Sequence, residues 1–126
     1  MNSRGVGIFG EEAAVNFLCD NGYKILARNY FQKFSGSLGK GEIDIIAKKG
    51  DTISFIEVKT IQGFPENFFP AEDKVNFSKR NKIKRLAEIW LDEHKISFNS
   101  KWQIDVISVL MDRGGGRASI RHFQNV

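Results

Sequence analysis

The chain has 126 residues, 41% of them hydrophobic and 27% charged, a balance that suits one globular domain and excludes a disordered composition. A single Cys excludes a disulfide framework and a cysteine-rich zinc site, and no apolar run approaches the length of a membrane span. The surplus of 19 Lys and Arg over 15 Asp and Glu, a net charge of +4, permits an anionic partner without requiring one.

From Gly7 to Asp20, Ala13, Ala14, Phe17 and Leu18 recur at helical spacing, which predicts a helix closed by Asn21-Gly22. Tyr23 to Tyr30 alternates weakly and reads as a short strand. Phe34 to Gly41, with Gly36, Gly39 and Gly41, reads as a loop. Ile43 to Ala47 and Ile53 to Thr60 are predicted strands, joined as a hairpin through Lys48-Lys49-Gly50-Asp51. Gln62 to Pro70 is irregular. A long helix is then predicted from Pro70, with Glu72 and Asp73 at its positive end and Ile83, Leu86, Ala87, Trp90 and Leu91 forming one apolar stripe. Trp102 to Met111 reads as a strand, Gly114-Gly115-Gly116 as a turn, and Ala118 to Phe123 as a final strand. This order predicts an α/β fold, with a mixed central sheet flanked by helices, over residues 1–126 as one domain.

Two glycine patterns carry no chemistry. Gly5-Val6-Gly7-Ile8-Phe9-Gly10 matches the GxGxxG string of dinucleotide-binding folds, but only four residues precede it, too few for the strand that motif requires. Gly36 to Glu42 ends in Lys40-Gly41 rather than Lys followed by Ser or Thr, and a strand follows instead of a helix.

The informative residues are charges inside apolar strands. Asp44 interrupts Ile43-Asp44-Ile45-Ile46, and Glu57 and Lys59 interrupt Phe55-Ile56-Glu57-Val58-Lys59. Strand alternation puts Glu57 and Lys59 on one face and Ile56 and Val58 on the other. In isolation Glu57 and Lys59 would read as a solvated ion pair. Asp44, across the predicted turn, changes that reading. Two carboxylates at close range repel unless a proton or a divalent cation lies between them. Oxygen ligands beside a lysine suit metal-dependent phosphodiester hydrolysis, with Mg²⁺ or Mn²⁺ held by Asp44, Glu57 and the Val58 backbone carbonyl. Lys59 would then position water or stabilise charge developing on the phosphate. Glu11 nearly eclipses Leu18 along its helix and so flanks the buried stripe, as a further candidate metal ligand or as a first-turn carboxylate on the helix dipole. Glu12 falls on the opposite face, beside Asn16 and Cys19.

Gly7-x2-Gly10-Glu11-x2-Ala14-x2-Phe17-Leu18, Gly22-Tyr23-x-Ile25-Leu26-x-Arg28-Asn29 and Gly41-Glu42-Ile43-Asp44-Ile45-Ile46-Ala47 resemble the YraN family of small bacterial proteins. The match continues through Phe55-Ile56-Glu57-Val58-Lys59-Thr60, Lys79-x2-Lys82-Ile83-x3-Ala87-x2-Trp90-Leu91 and Asp105-Val106-Ile107. The resemblance implies a restriction-endonuclease-like fold with a PD-(D/E)xK-type site, similar to Holliday-junction resolvases. It carries catalytic roles onto Glu11, Asp44, Glu57 and Lys59, with Glu42 and Lys79 as auxiliaries. Ile61 and Gln103 stand where the family often has a basic residue.

Lys74 to Arg85 carries six basic residues and no acid. Lys84 and Arg85 point away from the apolar stripe and read as a solvated face. Lys79 extends the stripe, and Lys79, Arg80 and Lys82 are the candidate nucleic-acid contacts. Cys19 reads as a packing residue, His94 and His122 as surface or partly packed, and Asp105 as structural, bonding a loop or Asn29. The functional expectation is a metal-dependent nuclease acting on DNA, branched or junction DNA included. The alternatives are a DNA-binding or scaffold module without turnover and a structural protein whose hairpin charges form an ion-pair network. No membrane partner is expected, homodimer formation stays open, and the first residues lack the apolar stretch of a secretory signal, which leads to a cytoplasmic expectation.

Overall fold

The computed structural model describes residues 3–33, 40–63, 77–112 and 117–126. In chain order these form α1 (Ser3–Asp20), β1 (Lys24–Lys33), β2 (Lys40–Lys49), β3 (Thr52–Gln62), α2 (Phe77–Glu93), β4 (Trp102–Met111) and β5 (Ala118–Phe123). The five strands make one sheet in the order β1-β2-β3-β4-β5. Antiparallel pairing joins β1 to β2, β2 to β3 and β4 to β5, whereas β3 and β4 run parallel. Parallel neighbours need a crossover, and α2 lies within it. The expected mixed sheet with flanking helices is present.

Each face of the sheet has its own core. On one, Ile83, Leu86, Ala87, Trp90 and Leu91 of α2 pack against Ile46, Phe55 and Ile104, so the predicted apolar stripe is the buried one. On the other, Ala14 and Leu18 of α1 pack against Ile45, Ala47, Ile56, Ile107 and Val109. Helix α1 begins before the predicted Gly7 and takes Gly5, Gly7 and Gly10 into its turns, consistent with setting the dinucleotide string aside. Strands β1, β2 and β3 each run longer than predicted. Pro70, Glu72, Asp73 and Lys74, and the glycine segments 34–39 and 114–116, lie outside the described residues.

One irregularity positions the site. The β2–β3 ladder runs from Lys49↔Thr52 to Ile45↔Ile56 and stops short of Asp44. Ile43 and Ile45 are two residues apart yet belong to opposite cores, so β2 turns over at Asp44. On the other side of β2, Arg28↔Ile45 and Tyr30↔Ile43 bracket Asn29, whose φ is +53°. Asn is among the few non-glycine residues that adopt this left-handed conformation readily. Both strands are therefore distorted at the same level of the sheet.

Candidate functional site

Where β2 leaves β3, a side chain takes over from the ladder. The Val58 N–H donates to Asp44 Oδ2 at 2.8 Å, which satisfies a backbone donor that has lost its strand partner. Burial pushes the Asp44 carboxyl up to about 6, the Val58 bond opposes the rise, and the charges of Glu11, Glu42 and Glu57 add to it. Four carboxylates from three elements thus converge on the strand split.

Each arrives by a different route. Glu11 comes from α1, which lies so close to β3 that a Cβ on Gly10 would collide with the Thr60 side chain. Burial raises the Glu11 pKa, while a hydrogen bond from Asn29 lowers it and the Glu42 charge raises it. With its amide oriented to satisfy both neighbours, Asn29 Nδ2 donates to Glu11 Oε1 at 3.0 Å and Glu42 Oε1 at 2.9 Å. Asn29 therefore bridges two acids that would otherwise only repel. Glu57 projects to the α2 side, as strand alternation predicts, and its Oε1 forms an ion pair with Lys79. Its Oε2 is buried and finds no hydrogen-bond partner among the described residues.

Asp44 stands between two cavities. One, of about 520 Å³, lies on the α1 side and is lined by Gly7, Glu11, Asp44, Val58, Thr60 and Gln62, among others. The second, of about 500 Å³, lies on the α2 side, where Glu42, Asp44 and Glu57 face Ser78, Lys79 and Lys82. A wall of acids meets a wall of lysines across this space. That arrangement suits a bound group that is anionic on one side and cationic on the other.

Of the residues singled out from sequence, Glu11, Glu42, Asp44, Glu57, Lys79 and Lys82 come together around these cavities. Lys59 is half-buried on β3, outside the residues that line either one. The cation paired with Glu57 is Lys79 from α2, not the strand neighbour Lys59. Arg80 Nε donates to the Val126 carbonyl oxygen at 2.9 Å, which ties α2 to the last residue. Lys84 and Arg85 are exposed, as their helical phase requires.

Among the described residues, no three His, Cys, Asp or Glu side chains form a ready metal-ligand set. The donor chemistry nevertheless suits a hard divalent cation. Mg²⁺ is commonly held by one or two carboxylates and keeps several waters. Asp44 and Glu57 meet that need, and the buried Glu57 Oε2 is an acceptor lacking a donor.

One reading of the sequence requires correction. Cys19 is exposed rather than packed, because it shares the outer face of α1 with Glu12 and Asn16. Asp105 is structural, as expected, and of its two expected partners it takes the loop, through Asn125 after β5, and not Asn29. It is fully buried and accepts from Gln103 Nε2 at 3.0 Å and the Asn125 N–H at 2.9 Å, with His122 Nε2 at 2.7 Å. The His122 side chain is only 8% exposed in this pair. Its ring also meets Phe17 edge-on and lies tilted against Tyr23, so the cluster anchors β5 and the following turn beneath α1. The sequence names Asn29 within a motif and as an alternative partner of Asp105, but not its place between Glu11 and Glu42. The signal for its role is an Asn inside an apolar strand, the residue type that tolerates left-handed backbone and still donates.

The family model described as "Uncharacterised protein family UPF0102" matches residues 10–109, which include all of the acidic cluster. The chain belongs to the UPF0102 family. A UPF0102 protein of Dictyoglomus turgidum is 37% identical over 91% of this chain and 90% of its own length. Another, from Nocardia farcinica, is 39% identical over 99% and 91%. A third UPF0102 protein, from Caldicellulosiruptor saccharolyticus, is 41% identical over 89% and 87%. These UPF0102 relatives span nearly the same length as this chain, and the resemblance to the YraN family read from the motifs is the same membership. No helix among the described residues is long and apolar enough to cross a membrane.

Proposed function

We propose that this protein is a divalent-metal-dependent nuclease that hydrolyses DNA phosphodiester bonds, on a restriction-endonuclease-like fold. The observation that carries the reading is the strand split at Asp44. There the fold holds four carboxylates against their mutual repulsion and leaves a buried Glu57 oxygen without a donor among the described residues. A protein maintains such a cluster at a cost in stability unless a cation or proton relieves it. The element order α1-β1-β2-β3-α2-β4, with the acids at the β2–β3 divergence, supports the fold family suggested by the motifs.

Asp44 and Glu57 would hold Mg²⁺ or Mn²⁺ together with the Val58 carbonyl, which leaves the strand on the same side as the N–H bonded to Asp44. Such an ion supplies charge neutralisation and a more acidic bound water. Asn29 keeps Glu11 and Glu42 at fixed distance and thereby fixes the walls of the site. Lys79 and Lys82 place positive charge where a phosphate entering the α2-side cavity would lie. Lys59 reaches developing charge on the phosphate once substrate fills the space beyond Glu57.

A second reading is a DNA-binding or scaffold module without turnover. The Lys79–Glu57 pair favours it, because the lysine already neutralises one prospective ligand. The deciding experiment incubates the protein with linear, flapped and four-way DNA across Mg²⁺ and Mn²⁺ concentrations. Cleavage abolished by Asp44→Ala and by Glu57→Ala supports the nuclease. Salt-sensitive binding without cleavage under any metal condition supports the module.

A further inference from the structure

Among the described residues, a cation of the chain itself is paired with the acidic cluster. Lys79 stands in the first described turn of α2, and its side chain is 52% exposed while that of its partner Glu57 is 12% exposed. The ammonium thus reaches inward from solvent to a buried carboxylate. Glu42 and Asp44 line the same cavity. Only one Glu57 oxygen takes part in this pair, and the other is the buried atom without a partner among the described residues.

We propose that Lys79 is a resident counter-ion of Glu57 that a divalent cation displaces, freeing its ammonium for a substrate phosphate in the same cavity. This rests on the reading of Asp44 and Glu57 as metal ligands. Two cations at one carboxylate oxygen repel each other, and the repulsion is strong away from bulk water. A doubly charged ion among four acids prevails over a single ammonium, since it neutralises twice the charge. The Lys79 side chain is half in solvent, so its long flexible stem has room to swing away from Glu57. Lys82 lies one turn further along α2, lines the same cavity and defines where a phosphate is met. Metal and phosphate then bind cooperatively, and the coupling is reciprocal.

Calorimetric titration of Mn²⁺ into the protein without DNA, in wild type, Lys79→Gln and Lys82→Gln, tests the exchange. Loss of the competing ammonium should tighten Mn²⁺ binding by about two- to fivefold in Lys79→Gln, the range expected for one ion pair at a partly exposed site. Lys82→Gln removes the same charge from the same cavity without breaking the pair, and should change affinity less. A second readout needs no variant. Acylation of Lys79 by an amine-reactive reagent, followed by mass spectrometry, should rise on adding saturating Mn²⁺ relative to Lys84 on the exposed face.

Unchanged or weaker Mn²⁺ binding by Lys79→Gln, equal tightening in both variants, or unchanged Lys79 acylation would each overturn the exchange while leaving the metal site standing. Absence of Mn²⁺ binding by every form would overturn both readings.

Discussion

Gly10 on α1 rests against Thr60 on β3 with no room for a Cβ between them. This contact sets how closely the first helix approaches the sheet, and Glu11 is the next residue. The Thr60 side chain is β-branched and stiff, so it cannot swing away from an added methyl. The distance between Glu11 and Asp44 is therefore controlled by a residue that carries no chemistry.

Gly10→Ala should accordingly destabilise the protein by about 1–3 kcal/mol, the usual cost of overpacking, despite the better helix propensity of Ala. Urea denaturation measures it. Adding Thr60→Ala should restore part of the loss. A stabilised Gly10→Ala protein would show that α1 does not depend on this contact.

Asp44 gives a pH dependence of defined sign. Its carboxyl is raised from its ordinary value of 3.8 to about 6, so the folded state prefers the protonated form. The stability it contributes is fully present below the unfolded value and is lost as pH rises through 6. Asp44→Asn keeps an acceptor for the Val58 N–H and never ionises. The variant should match wild type near pH 3.5 and exceed it by about 2–3 kcal/mol at pH 8 in chelator. A difference that stays constant across that range would mean that neither burial nor the neighbouring charges disfavour the ionised Asp44.

Metal should reverse that penalty. Mg²⁺ binds few carboxylates weakly, so a dissociation constant in the millimolar range is expected. Saturating Mg²⁺ at pH 7.5 should raise the thermal midpoint of wild type but not of Asp44→Ala or Glu57→Gln, because ligand bound only to the folded state stabilises by mass action. Equal shifts in all three proteins would place Mg²⁺ elsewhere.

Chemistry and binding should separate at Lys59. Lys59→Ala should lower DNA cleavage by roughly 10²-fold with little change in DNA affinity, if it stabilises transition-state charge. Normal cleavage by that variant would remove Lys59 from the mechanism.

The basic helix makes a prediction about salt. Each phosphate contact contributes about −0.9 to the slope of log K against log [salt] on duplex DNA. Replacing Lys79 and Lys82 by Ala should flatten the slope by nearly two contacts, and replacing Lys84 and Arg85 should change it little. Arg80→Ala should also have a small effect, since its guanidinium is bonded to Val126. Equal losses from the Lys79/Lys82 and Lys84/Arg85 pairs would mean that charge density, not position, governs binding.

Much of this protein is written in local patterns. The stripe from Ile83 to Leu91 is buried as its 3.6-residue period requires, and the alternation around Glu57 correctly separates it from Val58. Asp44 and Glu57 stood out because a carboxylate inside an apolar strand is costly unless it has a partner or a purpose. Those signals need only neighbours in sequence. The partners of the same residues do not follow from any period. Lys79 reaches Glu57 across 22 positions of chain, Asn29 draws Glu11 to Glu42, and Asp105 turns to His122 rather than Asn29. Each pairing depends on how far helices lie from the sheet and where the β2–β3 ladder ends, and both are set by packing over the whole domain. Local sequence thus determined which side chains carry charge and which face they take, while tertiary structure alone decided which charges meet.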